Sequence, residues 1–93
     1  MFHQFDNRIP VIIHMGVKPS AFGFDILCAT IERTERKSFG FFSREVTMKI
    51  DCYFHLEKRV WLETGTNAEL KPIEQVELTL TAIKANAGKY LKK

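Results

Sequence analysis

The chain has 93 residues, of which 45% are apolar, 12% aromatic and 27% charged, the composition of one small globular domain rather than of a disordered segment. Its 14 Lys and Arg against 11 Asp and Glu leave a net charge of +3, which favours an anionic partner without the strong excess of a dedicated phosphate-backbone binder. No apolar run approaches the roughly 18 residues of a membrane-spanning helix. Cys28 and Cys52 are too few for a disulfide scaffold and have no zinc-site spacing. Read as reduced, buried thiols, they point to the cytosol or nucleus.

Ile9 to Met15 is short and β-branched, and Pro10 inside it marks an edge strand or an irregular start. The longest early apolar stretch, Val11-Ile12-Ile13, is interrupted by His14 and lacks the length and the small-residue cleavage site of a signal peptide. With Phe2 and Phe5, Ile9 to Met15 is too apolar for a loose tail. Residues 1–20 therefore read as an extension that adds a strand to a sheet, covers one end of a barrel, or packs on a neighbouring domain or subunit. His3 and His14 have no partner at metal-ligand spacing. Lys18-Pro19-Ser20 closes the extension, and residues 21–93 follow as the domain proper.

Phe22, Phe24, Ile26 and Cys28 alternate as a strand with this even set inward, and Thr30 to Arg33 continue it in polar form. Thr34 to Ser38 reads as a charged connection. The clearest strand is Val46 to Leu56, with Val46, Met48, Ile50, Cys52, Phe54 and Leu56 inward and Thr47, Lys49, Asp51, Tyr53 and His55 outward. Thr64-Gly65-Thr66-Asn67 opens a loop that closes at Lys71-Pro72. Val76, Leu78, Leu80 and Ala82 alternate with polar residues as another strand, and Asn86-Ala87-Gly88 marks a late turn. The basic tail of Lys84, Lys89, Lys92 and Lys93 around Tyr90 is a solvated end or a rim on the last strand. No segment shows a convincing 3.6-residue stripe, so the chain reads as all-β, a small barrel or sandwich.

Chemistry concentrates in Arg36-Lys37-Ser38-Phe39-Gly40-Phe41-Phe42-Ser43-Arg44. On a strand, Phe39 and Phe41 share one face and Phe42 takes the other. Antiparallel pairing with the next strand brings Phe41 beside Tyr53. Phe39, Phe41, Tyr53 and His55 rimmed by Arg36, Lys37, Arg44 and Lys49 would stack bases and follow phosphates. The same pattern fits a strand buried on both faces, by the leading residues or by a partner chain. Trp61 is either a cap on the core or, if Val60 to Glu63 hairpins back, an extension of the platform opposite His55.

Three segments carry a family resemblance. Lys37-Ser38-Phe39-Gly40-Phe41-Phe42 resembles the first ribonucleoprotein motif of cold-shock domains, Lys-Gly-Phe-Gly-Phe-Ile. Asp51-Cys52-Tyr53-Phe54-His55-Leu56 resembles the second, Asp-Val-Phe-Val-His-Phe. Leu70 to Leu80 is similar to the stretch that enters the family's fourth strand. The resemblance covers about residues 24–93 and is closest to the divergent domains of upstream-of-N-ras type RNA-binding proteins. It implies a five-stranded OB-like Greek-key barrel. It also implies binding of single-stranded RNA or DNA through Lys37, Phe39, Phe41, Tyr53 and His55. The chain departs from the family at Glu32, where an exposed Trp is usual, and at Leu56, where a ring is usual. Ser38 and Ile73 replace glycines.

The expected function is non-catalytic single-stranded nucleic-acid binding in the cytoplasm, with no cofactor, no metal and no membrane. His55 lacks the nucleophile, carboxylate pair or phosphate loop of an enzyme. A second reading is a divergent domain that no longer binds RNA and serves as a spacing or protein-interaction module beside neighbouring cold-shock domains. A third is a small β-rich inhibitor whose outward rings form a protein hot spot.

Overall fold

The computed structural model describes residues 9–21 and 23–91. Expectations resting on Phe2, His3, Phe5, Phe22, Lys92 and Lys93 lie outside them. Four strands, β1 (Val11–Pro19), β2 (Asp25–Phe39), β3 (Phe42–His55) and β4 (Val60–Glu63), pair antiparallel in sequential order. Helix α1 (Pro72–Lys84) and a 3-10 turn (Gly88–Leu91) follow.

The strong alternation of β3 decides which face is inward. Ala29 stands opposite Cys52 and Ile31 opposite Ile50, so the odd residues of β2 share a face with the even residues of β3. Leu27, Ala29, Ile31, Ile50, Cys52 and Phe54 are buried there with Trp61 of β4. The inward set expected for β2 is thus corrected: Phe24, Ile26 and Cys28 lie on the other, open face. Both faces are apolar over residues 24–31, so a period of two cannot choose between them. Register with β3 does.

β1 pairs with β2 from Val11↔Glu32 to Pro19↔Asp25, with a bulge at Ile13. Of the places weighed for the leading segment, the sheet edge is the one Val11–Pro19 takes. Ile12 and Met15 pack against the core from it.

The barrel expected from the resemblance is replaced by an open four-stranded sheet with one helix on its inner face. The strand expected over Val76–Ala82 is helical. Glu74, Leu78 and Ala82 recur every four residues and are buried together, the stripe by which a helix docks on a sheet. Pro72 occupies the first turn, where its missing N–H costs nothing. The Glu74 carboxylate accepts from the Lys71 N–H at 2.9 Å, satisfying one of the free donors at the helix start. The same carboxylate receives Arg33 of β2 bidentately, Nε to Oε2 at 2.7 Å and Nη2 to Oε1 at 2.6 Å. Lys71 Nζ meets Glu35 at 3.1 Å. These contacts lock the start of α1 onto β2, and the helix does not extend over the rest of the β2–β3 hairpin.

Candidate nucleic-acid interface

β1 stops pairing at Glu32, and β4 reaches only Cys52 to His55 of β3. Among the described residues, the last seven β2–β3 pairs, Arg33↔Met48 to Phe39↔Phe42, therefore form a two-stranded arm roughly 23 Å long. The longest dimension of the molecule is 51 Å.

The arm ends in the two-residue loop Gly40-Phe41. Gly40 has φ of 63° and Phe41 does not share the left-handed conformation, the pattern of a type II′ hairpin turn. This turn corrects the expected placement of the rings. The chain reverses between Phe39 and Phe42, so these two are cross-strand partners on one face, while Phe41 projects from the loop. Phe39, Phe41 and Phe42 are 56%, 102% and 76% exposed.

Behind the rings, Lys37 of β2 stands directly opposite Arg44 of β3, and both are exposed. Like charges so placed repel. Residues 36–44 contain three basic side chains and no acid. Arg36, on the other face of the arm, is opposite Glu45, with 3.9 Å between charged atoms and both side chains about half exposed, a contact too loose to offset much charge.

Tyr53 and His55 lie elsewhere. Tyr53 is opposite Cys28, eleven strand positions from Phe39, roughly 36 Å along β2. It also lies on the open face, whereas Phe39 and Phe42 continue the face that carries the core. The expectation that Phe41 stands beside Tyr53 is therefore overturned by register: the tight turn puts Phe42, not Tyr53, beside Phe39. Tyr53 and His55 do adjoin one another, with ring centroids 6.3 Å apart. Tyr53 donates to Asn67 Oδ1 at 2.8 Å. Phe24, Ile26 and Leu56 line a cleft with them. Phe24, expected inward from its alternation, is an open-face ring. Lys49 is on this face too, opposite Glu32 and outside the two-stranded arm, so it stands apart from the rings.

Trp61 is not a surface residue. The β4 hairpin forms, but Trp61 comes opposite Phe54, and Val60 comes opposite His55. The indole is 1% exposed, packs edge-on against Phe54 at 5.4 Å, and donates from Nε1 to Thr79 Oγ1 at 3.2 Å. Its place in the nucleic-acid set is corrected to a core residue.

The thiols are free and lie on opposite faces of the sheet. Burial pushes the Cys52 thiol up to about 12 and raises Cys28 as well, with Lys18 opposing the latter shift. Among the described residues, no three His, Cys, Asp or Glu side chains gather as a metal site, and no helix is long and apolar enough to cross a membrane. Phe42 and Arg36 complete the arm tip. Phe42 was missed as a partner of Phe39 because its place depends on the turn, for which Gly40 was the available signal. No family model, no curated protein and no solved structure matches the chain.

Proposed function

We propose that the protein binds single-stranded nucleic acid, without catalysis, through the tip of the β2–β3 arm. The observation that carries this reading is the pairing of Lys37 with Arg44 directly beneath three exposed phenyl rings. A protruding hairpin that juxtaposes two cations and leaves three rings in water gives up stability on both counts. A strand of unpaired bases offsets both: its phosphates meet Lys37 and Arg44 on one face, a strand that continues around the hairpin edge meets Arg36 on the other, and its bases stack on Phe39, Phe41 and Phe42. Stacking contributes about 1–3 kcal/mol per base and tolerates any sequence. Tyr53, His55, Lys49 and Trp61 have no part in this contact.

The test is titration of fluorescently labelled oligo-U and oligo-dT with the full chain at two salt concentrations. Saturable binding that weakens with salt, with a slope of about two to three released counterions, supports the reading. Absence of binding at low salt overturns it. The alternative, a protein-interaction module, is favoured by a separate feature, the outward face of α1.

A further inference from the structure

Helix α1 is apolar on two sides. Leu78 and Ala82 face the sheet, whereas Val76, Leu80 and Ile83 lie on the opposite side and are 52%, 46% and 55% exposed. At about 100° per residue these three fall within one narrow outward stripe. An apolar stripe on the outer side of a docked helix is a candidate contact surface. The two nearest charges of the helix sit on the same flank of this stripe, Glu77 and Lys84, within about 20° of one another around the axis. Neither makes an ion pair among the described residues. The other flank carries the uncharged Pro72 and Thr79 of the helix, with Arg59 and Glu69 beside them across a groove.

We propose that this stripe is the contact of a homodimer in which the α1 helices of two copies pack antiparallel about a two-fold axis beside Leu80. The charge pattern selects this occupant. When two helices run antiparallel about such an axis, the same flank of each meets across the interface. Leu80 then faces its own copy, and Glu77 lies within about one residue rise, roughly 1.5 Å along the axis, of Lys84 of the second copy. Two reciprocal Glu77–Lys84 pairs form, one acid and one base from each chain. A parallel pair would instead set Glu77 and Lys84 of one copy against Pro72 and Thr79 of the other, with no reciprocal pair between the two helices. The groove beside the stripe, lined by Val60, Leu70 and Gln75, gives room for the apolar side chains of the second copy. A helix of 13 residues is only about 20 Å long, so the contact is at the small end of specific interfaces and the dimer is weak, with Kd on the order of 10–100 μM.

Sedimentation velocity and equilibrium of the full chain over a concentration series decide this. The expected result is a monomer–dimer equilibrium that Leu80→Glu abolishes, with far-UV circular dichroism unchanged because Leu80 does not contribute to the core. Glu77→Lys and Lys84→Glu each weaken dimerisation about fivefold, since both pairs become repulsive. The double variant Glu77→Lys/Lys84→Glu returns it to the original value. A chain that stays monomeric up to about 1 mM overturns the proposal and assigns the stripe to a different partner. A dimer indifferent to Leu80→Glu, or single reversals that the double variant does not rescue, also overturns it.

Discussion

The side-chain amide of Gln75 pairs with the backbone of Trp61 as a neighbouring strand would. Oε1 accepts from the Trp61 N–H at 2.7 Å, and Nε2 donates to the Trp61 carbonyl at 2.8 Å and to that of Leu70 at 3.3 Å. The outer edge of β4 is otherwise met by the Leu70 N–H, which donates to the Trp61 carbonyl at 3.2 Å, and by a bridge between Leu62 and Glu69. A fifth strand is thus replaced by one helix side chain and a loop. Gln75→Ala leaves the buried N–H of Trp61 without its acceptor and is expected to cost about 1–3 kcal/mol. Gln75→Glu, which restores an acceptor but no donor, recovers only part. Urea midpoints of the three proteins check the order.

This exchange of strand for helix explains what could and could not be read in advance. β3 was legible because only one of its faces is apolar. In Val76, Leu78, Leu80 and Ala82 the alternation is real but has two sources: Leu78 and Ala82 meet the sheet, while Val76 and Leu80 belong to the outward stripe. Two helical stripes interleaved at a spacing of two mimic a strand. Pro72 and Glu74 were the helix-start signals, and both are used. The rings of the arm could be named from composition, but whether they join Tyr53 depends on the turn at Gly40, which sets the register of all of β2 against β3.

Arg33 and Glu74 join β2 to α1, with Glu74 2% exposed and Arg33 held more firmly protonated by the bond. Glu74→Leu strands a half-buried guanidinium and is expected to destabilise by about 3 kcal/mol. Replacing both, Arg33→Met with Glu74→Leu, removes the unpaired charge and regains most of the loss. A double-mutant cycle by denaturant unfolding measures the coupling.

The Cys52 thiol gives the fold a defined alkaline limit. Its folded value is raised to about 12 by burial, against roughly 8.5 in an unfolded chain. A raised folded value means that its contribution is complete below the unfolded value and disappears as pH climbs toward 12, where the unfolded chain gains by releasing the proton. The difference in unfolding free energy between the native chain and Cys52→Ala should therefore shrink from pH 9 upward. Native-state alkylation should modify Cys28 first, since Cys52 is buried and Cys28 only half-buried.

At the arm, stability and binding oppose one another. Lys37→Thr relieves the repulsion with Arg44 and puts a β-former on a two-stranded ribbon. It should stabilise the fold by about 0.5 kcal/mol. The same change removes one phosphate contact, so affinity for oligo-U drops and the salt slope falls by about one. Thermal unfolding and anisotropy titration of one sample give both signs. A gain in stability with unchanged affinity would detach the charge pair from binding.

The sharpest comparison is between rings at the two ends of the sheet. Phe41 is fully exposed in the loop and touches no core residue, so Phe41→Ala should leave the unfolding midpoint within error and weaken oligonucleotide binding by about 1–3 kcal/mol, the value of one stacked base. Tyr53 and His55, some 36 Å away by strand rise and on the other face, should tolerate Tyr53→Leu and His55→Ala with affinity changed less than about twofold, because single-site effects without shared partners stay separate. Tyr53→Leu also breaks the bond to Asn67, so its cost appears in stability rather than in binding. Equal losses of affinity at Phe41 and Tyr53 would mean that one bound strand spans both ends and that the tip alone is not the interface.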